Sequence, residues 1–364
     1  MRHYFILPLF CVLSFLSLAQ RKVQLVILFD TSNSMDGLIN QAKARIWNIV
    51  NEASTFTYQG APVMLEIAMY DYGNSSLSPS SNYIRKQLDF SQDLDLVSEK
   101  LFGLRTSGGD EYCGAVLVES LTNLTWSSDP KDLKLIYIAG NESYKQGPVS
   151  IQSACKLATD KNVCISSIFC GDRLQGINLG WKTGADCGNG DYFNINSNEQ
   201  VQQIATPFDD QIIEQNRLLN DTYIGFGATA IESKSKQLSQ DQNALGVSKA
   251  VETERYLVKS KSSYKNEKWD IVDANKADST RLRTLKDEEL PQEMKGMNLE
   301  QREAFVQQKT KEREAIQKEM ARLEVERSKY IEQETLKNNQ QKTDDFGTAV
   351  AASMKAKAKA LCFE

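Results

Sequence analysis

Between residues 22 and 220, short apolar runs alternate with stretches in which apolar residues recur at helical spacing. The clearest run, VQLVILFD at residues 23–30, ends in a carboxylate and is typical of a central parallel strand buried on both faces. Similar runs predict further strands at residues 62–70, 83–90, 133–139, 162–170 and 191–195. Helical periodicity predicts helices at residues 38–53, 91–101, 112–125, 148–160 and 199–219.

Strands that alternate with helices predict an α/β fold with a doubly wound, mostly parallel, Rossmann-like sheet covered on both faces. In such sheets the ligand site lies at the carboxyl ends of the strands, which is where Asp30 is placed. Residues 71–73 end the second predicted strand near this site. We interpret them as a turn, with a lining of the binding face as the alternative.

After residue 226 the chain becomes polar and mostly helical, so we divide it into a domain at 20–226 and a helical region at 227–364. Residues 299–337 mix acidic and basic side chains at close spacing, which predicts one long solvated helix. A helical hairpin packed on itself, or a short coiled coil, accounts for this region. The last stretch, residues 344–364, is rich in Ala and Lys and is expected to fray.

Residues 1–19 have the pattern of a secretory signal peptide: Arg2 and His3, an apolar run, and small residues before a cleavage site. We therefore expect an exported protein, periplasmic or secreted, with no transmembrane segment once the signal is removed; the alternative is that residues 1–19 stay uncleaved as an anchor. The net charge of the 364-residue chain is -5, which gives no general attraction to nucleic acid.

Export changes how the cysteines are interpreted, because disulfides form in oxidising compartments. Six of the seven cysteines lie after the predicted signal, and Cys170 with Cys187 is the pairing we predict. The alternative is that several of them are buried as small hydrophobic side chains.

The motif with the clearest chemistry is Asp30-Thr31-Ser32-Asn33-Ser34, between the first predicted strand and a helix. One carboxylate and two hydroxyls form a set of hard oxygen ligands that suits Mg²⁺, with other divalent cations as alternatives. In the competing interpretation, Ser32 and Ser34 cap the helix and Asp30 accepts their hydrogen bonds.

From residue 22 to about 220 the chain resembles the von Willebrand factor A family, in which a DxSxS segment begins a metal-ion-dependent adhesion site. The resemblance implies that Asp30, Ser32 and Ser34 are metal ligands, directly or through water. It also implies that a carboxylate of a protein partner completes the coordination shell of the cation, which is binding and not turnover.

The other two parts of that site are altered here. In the second part many relatives have a Thr after a Gly pair, or a segment like GGDEPE. Residues 108–113 are GGDEYC, which is similar to the GGDEPE form, retains Asp110 as a ligand and puts Cys113 in the place of the last glutamate. Thr106 and Glu111 are alternative ligands that lie off the motif position. The third part is an aspartate at the end of the strand at 133–139, a position that falls on Gly140. Its alternatives are the next two residues, Asn141 and Glu142.

Residues 138–150 and 162–172 also resemble a group of uncharacterised bacterial exported proteins in which such a domain precedes a polar helical region, which opens here at 220–223. We expect a binding protein that engages a protein partner at the carboxyl end of the sheet. The alternative is an assembly protein that pairs through its C-terminal helices and uses the domain as a metal-free scaffold. An enzyme is not expected, because the chain has no GxSxG, Walker or HExxH motif and its one histidine is His3.

Overall fold

The structure is a computed structural model that describes residues 20–195, 204–337 and 346–364. The predicted signal peptide lies outside these residues. Six strands form one sheet in the order β5-β4-β1-β6-β7-β8, in which β5 is antiparallel and every other pairing is parallel. The strands are β1 (Lys22–Asp30), the short hairpin strands β2 (Thr57–Tyr58) and β3 (Ala61–Pro62), β4 (Met64–Tyr72), β5 (Ile84–Ser91), β6 (Leu133–Gly140), β7 (Cys164–Cys170) and β8 (Asn189–Ile195).

The doubly wound, mostly parallel sheet predicted from the sequence is confirmed. β1 lies between β4 and β6, and its side chains alternate between two separate apolar cores. Leu25 and Ile27 face one core, and Val26 and Leu28 face the other. A strand buried on both faces needs a nearly continuous apolar run, which explains the sequence at residues 23–30.

Helices cover both faces of the sheet, as right-handed crossovers require. In chain order they are α1 (Ile39–Ala53), α2 (Leu94–Gly103), α3 (Cys113–Asn123), α4 (Ile151–Lys161), α5 (Arg173–Asn178), α6 (Trp181–Cys187) and α7 (Asp209–Asn220). α1, α2 and α7 belong to one core and α3, α4 and α6 to the other. The first part of the predicted helix at 199–219, residues 199–203, lies outside the described residues. Residues 204–208 are not helical and α7 begins at Asp209, because Pro207 disfavours helical backbone at the preceding residue.

The helical region that follows packs on the first domain, not on itself alone as we expected. Its helices are α8 (Ala230–Val247), α9 (Lys249–Lys259), α10 (Ile271–Ala277), α11 (Arg281–Thr284), α12 (Leu299–Lys337) and α13 (Phe346–Ala360). α8 contacts α2, α9 contacts α1 and α7, and α12 contacts α7. All of these contacts lie on the α1 and α2 side of the sheet. Among the described helices, none combines the length and the hydropathy that a membrane span requires.

A buried ionic network fixes α8 and α9 against α2. Arg255 binds Asp95 of α2, donates a 3.2 Å hydrogen bond to Asp241 of α8, and is fully buried. Lys259 donates to the other oxygen of Asp241 at 2.6 Å. Buried charges that are paired this closely specify one docking arrangement, because any other arrangement leaves a charge without its partner.

The long helix α12 has the bounds that the charge pattern predicts, and its apolar stripe faces the domain. Met320 and Leu323 are buried in the domain core, and Arg327 pairs with Asp209 of α7 at 2.9 Å and with Glu254 of α9 at 2.7 Å. Arg327 therefore interrupts the apolar stripe because it binds two carboxylates. The expectation of a solvated helix holds for one face of α12 only.

The expectation that residues 344–364 fray is wrong for the described part, 346–364. α13 packs against α1 and β8, with Phe346, Val350 and Met354 buried in the domain core. Beyond it, Thr57 and Glu364 exchange two backbone hydrogen bonds of 2.9 and 2.8 Å. An apolar stripe along one side of the Ala- and Lys-rich sequence accounts for this docking.

The predicted disulfide between Cys170 and Cys187 is wrong. Cys187, at the end of α6, pairs with Cys155 of α4 across a Cα–Cα distance of 5.7 Å. Cys170 is a buried free thiol that ends β7 and faces the core on the opposite side of the sheet from Cys187. Proximity in sequence favoured the wrong pairing, because the sheet lies between the two side chains.

Candidate functional site

The carboxyl ends of the central strands bring the predicted site residues to one edge of the sheet. Asp30 ends β1 beside Tyr72, which ends β4. On the other side, Phe29 pairs with Ala139, so that Gly140 lies next to Asp30. Parallel strands place their carboxyl ends at the same edge, which is why three loops distant in sequence meet here.

Asp30 is fully buried, and only one of its oxygens has an ordinary hydrogen bond. Its Oδ1 accepts the backbone N–H of Ser32 at 2.8 Å. Its Oδ2 is buried and has no hydrogen bond of normal geometry within the described part of the chain. Burial raises the pKa of Asp30 to about 7, against the effect of hydrogen bonds from Ser32 and from the backbone of Asn141, which lower it. A buried carboxylate oxygen without a partner carries a solvation cost that a bound cation would offset.

The two serine hydroxyls of the motif lie together above Asp30. Ser32 Oγ and Ser34 Oγ are 2.8 Å apart. Ser34 donates from Oγ to Asn141 Oδ1 at 2.7 Å, and Asn141 returns a hydrogen bond from Nδ2 to the backbone carbonyl of Ser34 at 2.8 Å. Asn141 thus holds the Ser34 end of the motif loop in place.

The helix-capping interpretation of the serines finds partial support. Ser32 precedes a short 3₁₀ turn at Asn33–Met35, and neither Ser32 nor Leu38, which precedes α1, caps its helix through a side chain. Asp30 does accept a hydrogen bond from this loop, but the donor is the backbone N–H of Ser32. Neither serine side chain therefore caps a described helix, and the part of the interpretation that holds is the hydrogen bond from this loop to Asp30.

The loop between α2 and α3 supplies an acidic side chain, and it is Glu111 that is buried. Glu111 is only 6% exposed, and its pKa is raised by burial and lowered by a hydrogen bond from the Ser32 side chain. Asp110, the predicted ligand, is exposed and accepts a 3.2 Å hydrogen bond from the Tyr112 hydroxyl. Thr106, the other alternative, donates to Asp36.

The third motif position has no room for an aspartate. A Cβ atom on Gly140 would lie 2.7 Å from the Tyr72 hydroxyl, 3.0 Å from the Trp181 ring and 3.1 Å from Asp30 Cβ. Glu142 lies beyond this position, where its charge raises the pKa of Glu111 and its backbone carbonyl accepts a 2.7 Å hydrogen bond from the Trp181 indole. Tyr72 and Trp181 occupy the space that a third carboxylate requires.

Two residues of the segment at 71–73 line the site, although the sequence favoured a plain turn there. The Tyr72 hydroxyl donates to the Ala139 carbonyl at 3.0 Å, beside Gly140. Gly73 has a φ of +75°, and a Cβ there would lie 2.8 Å from Glu111 Cγ. The signal that indicates this segment is its position, at the end of a strand that pairs directly with β1.

The residues present fit a hard divalent cation in a reduced form of the expected site. Asp30, Ser32, Ser34 and Glu111 offer carboxylate and hydroxyl oxygens, the ligands that Mg²⁺ prefers, and the partnerless Asp30 Oδ2 is available to a metal. No group of three or more His, Cys, Asp or Glu side chains suited to a metal occurs among the described residues, so hydroxyl and water oxygens would have to complete the shell.

Three features agree with the resemblance to the von Willebrand factor A family. They are the strand order β5-β4-β1-β6-β7-β8, the antiparallel edge strand β5, and the DxSxS segment at the end of β1. The domain has a von Willebrand factor A-like fold. No protein-family model matches the chain, and no curated protein matches it.

Several solved structures are similar to this domain. BatB from Bacteroides thetaiotaomicron is 17% identical over 48% of this chain and 90% of its own, with a TM-score of 0.35. The SpRpn10 VWA domain is 13% identical over 49% of this chain and 90% of its own, with a TM-score of 0.36. Proximal thread matrix protein 1 from the mussel byssus, with a zinc-occupied MIDAS motif, is 12% identical over 50% of this chain and 43% of its own, with a TM-score of 0.35. With TM-scores this low, our assignment of the fold depends on the strand order and the motif.

Proposed function

We propose that this chain is an exported binding protein that engages a protein partner at the carboxyl edge of the sheet, through a divalent cation held by Asp30. The observation that carries the proposal is the buried Oδ2 of Asp30, which has no hydrogen bond of normal geometry within the described residues and belongs to the same motif as two serine hydroxyls that are 2.8 Å apart. A cation bound there would act as a Lewis acid with an open coordination position for an oxygen of the partner. Asp30, Ser32 and Ser34 would hold it.

The surroundings of the site support access by a partner. Asn33, Ser34 and Asp110 are exposed at this edge. The C-terminal helices pack on the α1 and α2 side, and none of the hydrogen bonds among the described residues joins them to the loops at 31–38, 104–112 or 141–150. A partner can therefore approach the motif without displacing a described helix.

Export is part of the proposal and has independent support. The Cys155–Cys187 disulfide joins α4 to α6, and such bonds persist in oxidising compartments. The predicted signal peptide at residues 1–19 gives the same location from the sequence. Binding without turnover follows from the resemblance, in which the cation serves as a bridge to the partner.

A photo-crosslinking experiment separates this proposal from its alternative. A photoreactive amino acid is placed at exposed Asn33 on the carboxyl edge or at exposed Ser239 on α8, and the protein is irradiated in an extract of its host with Mg²⁺ or with EDTA. We expect a discrete adduct from position 33 in Mg²⁺ that disappears in EDTA and in an Asp30→Ala background. Adducts from position 239 alone would contradict the proposal.

A second candidate function, self-assembly through α8, rests on one specific observation. Ile231, Leu238 and Leu245 lie at seven-residue spacing on α8 and are 88%, 42% and 47% exposed. Apolar side chains at this spacing form one stripe along a helix, as in helix pairing. Light scattering on the whole chain tests it: assembly through α8 predicts a dimer that Leu238→Lys dissociates, and a monomer at all concentrations excludes it.

A further inference from the structure

We propose that Glu111 supplies the second carboxylate ligand of the cation, in place of Asp110 and of the absent third-motif aspartate. This inference rests on the proposed function, and it assigns a ligand outside the motif positions that the resemblance implies. The buried Oδ2 of Asp30, which has no hydrogen bond of normal geometry among the described residues, marks the position of the cation independently of the acidic residues around it.

Two glycines direct the Glu111 side chain into the site. A Cβ on Gly73 would lie 2.8 Å from Glu111 Cγ and 3.0 Å from Asp30 Oδ1, so both acidic side chains pack against the same glycine. A Cβ on Gly109 would lie 2.4 Å from the carbonyl oxygen of Gly73. Because neither glycine has a side chain, the loop at 104–112 approaches β4 closely enough for Glu111 to reach Asp30.

The Ser32 hydroxyl lies close to both carboxylates. It is 2.8 Å from Ser34 Oγ, and its single proton lowers the pKa of whichever carboxylate, Asp30 or Glu111, accepts it. Asp30, Glu111, Ser32 and Ser34 thus bring carboxylate and hydroxyl oxygens to the same edge of the sheet. Mg²⁺ sites in proteins commonly use one or two carboxylates with hydroxyl and water oxygens, which matches this set.

The charge of the pair is unbalanced without a cation. Neither Asp30 nor Glu111 forms an ion pair with a lysine or arginine in the part of the chain that the structure describes, whereas Asp71, buried two residues before Gly73, is held by Arg85. The Glu111 carboxylate raises the cost of ionising Asp30, because like charges at short range disfavour each other. A divalent cation neutralises both at once.

The test compares Glu111→Gln with Asp110→Asn, a matched change of the adjacent residue. Binding of Mn²⁺ to the full chain is measured by electron paramagnetic resonance, and water proton relaxation counts the waters on the bound ion. We expect Glu111→Gln to weaken Mn²⁺ binding by about tenfold to a hundredfold, which is the loss of affinity commonly seen when a residue that supports a metal site is mutated. We also expect one more water on the bound ion. Asp110→Asn should change affinity by less than about threefold, since an exposed charge is screened.

Each outcome discriminates between the two proposals. If the wild-type chain binds Mn²⁺ and Glu111→Gln binds it equally well with the same number of waters, the assignment of Glu111 is wrong while the cation site stands. A larger loss in Asp110→Asn than in Glu111→Gln also overturns the assignment. If the wild-type chain binds no Mn²⁺, both proposals fail. Thermal unfolding in EDTA confirms that the variants fold, and Glu111→Gln should be at least as stable as the wild type because it removes a buried charge.

Discussion

Replacing Asp30 with asparagine removes a negative charge from the interior while keeping the shape of the side chain and its acceptor for the Ser32 N–H. In the folded chain the pKa of Asp30 is raised to about 7, from an ordinary value of 3.8, chiefly by burial. The folded state therefore keeps the Asp30 proton to a higher pH than the unfolded state does. The stability that this group contributes is fully present below about pH 4 and is lost as the pH rises toward 7.

The difference between the two pKa values sets the size of the effect. One pKa unit corresponds to about 1.4 kcal/mol, so ionisation of Asp30 in the metal-free protein costs about 4 kcal/mol above pH 7. Asparagine has no such cost, but its amide N–H₂ takes the place of the partnerless Oδ2 and costs about 1–3 kcal/mol at every pH. The free energy of unfolding of Asp30→Asn relative to the wild type should therefore increase by about 4 kcal/mol from pH 4 to pH 8.

Urea unfolding of both proteins in EDTA at pH 4, 5.5 and 8 measures this difference. Addition of Mg²⁺ at pH 8 should stabilise the wild type, by about 2.7 kcal/mol at a hundred times its dissociation constant, and leave Asp30→Asn unchanged. Asp110→Asn is the control, since that carboxylate is exposed. A stability difference between Asp30→Asn and the wild type that does not vary with pH would refute the reasoning, because it would mean that the charge of Asp30 carries no burial cost.

Two further predictions concern the third motif position and the disulfide. Gly140→Asp should destabilise the protein by about 1–3 kcal/mol, because its Cβ would collide with the Tyr72 hydroxyl, and it should not tighten Mn²⁺ binding; a gain in affinity without loss of stability would contradict the geometry. Cys187→Ser should lower the free energy of unfolding by about 2–4 kcal/mol, and a non-reducing peptide map of the wild type should link Cys155 to Cys187. Cys170→Ser should leave that link intact, and a peptide that joins Cys170 to Cys187 would show the pairing to be wrong.

The sequence predicts the sheet well because its signal is local. Each strand is an apolar run or alternation bounded by polar turns, and all six strands of the large sheet occur with their ends shifted by at most two residues from the prediction. Asp30, Ser32 and Ser34 are likewise found where the motif predicts them, because they follow a strand whose burial the sequence makes plain.

Other features depend on contacts between distant segments and are not evident from local patterns. The burial of Glu111, rather than of Asp110, depends on Gly73 and Gly109, which belong to different loops and meet only in the folded chain. The docking of the C-terminal helices depends on charges such as Arg255, whose partners are buried across an interface that no periodicity indicates. Buried ion pairs resemble a solvated surface when only the sequence is considered.

The central claim is that a divalent cation binds at the carboxyl edge of the sheet beside Asp30. Anomalous X-ray scattering from crystals of the full chain soaked in Mn²⁺ tests it most directly. The account predicts an anomalous peak bounded by Asp30, Ser32 and Glu111, and its absence in Asp30→Ala crystals soaked in the same way. Saturating Mn²⁺ that gives no peak at this edge, or a peak that persists in Asp30→Ala, would contradict it.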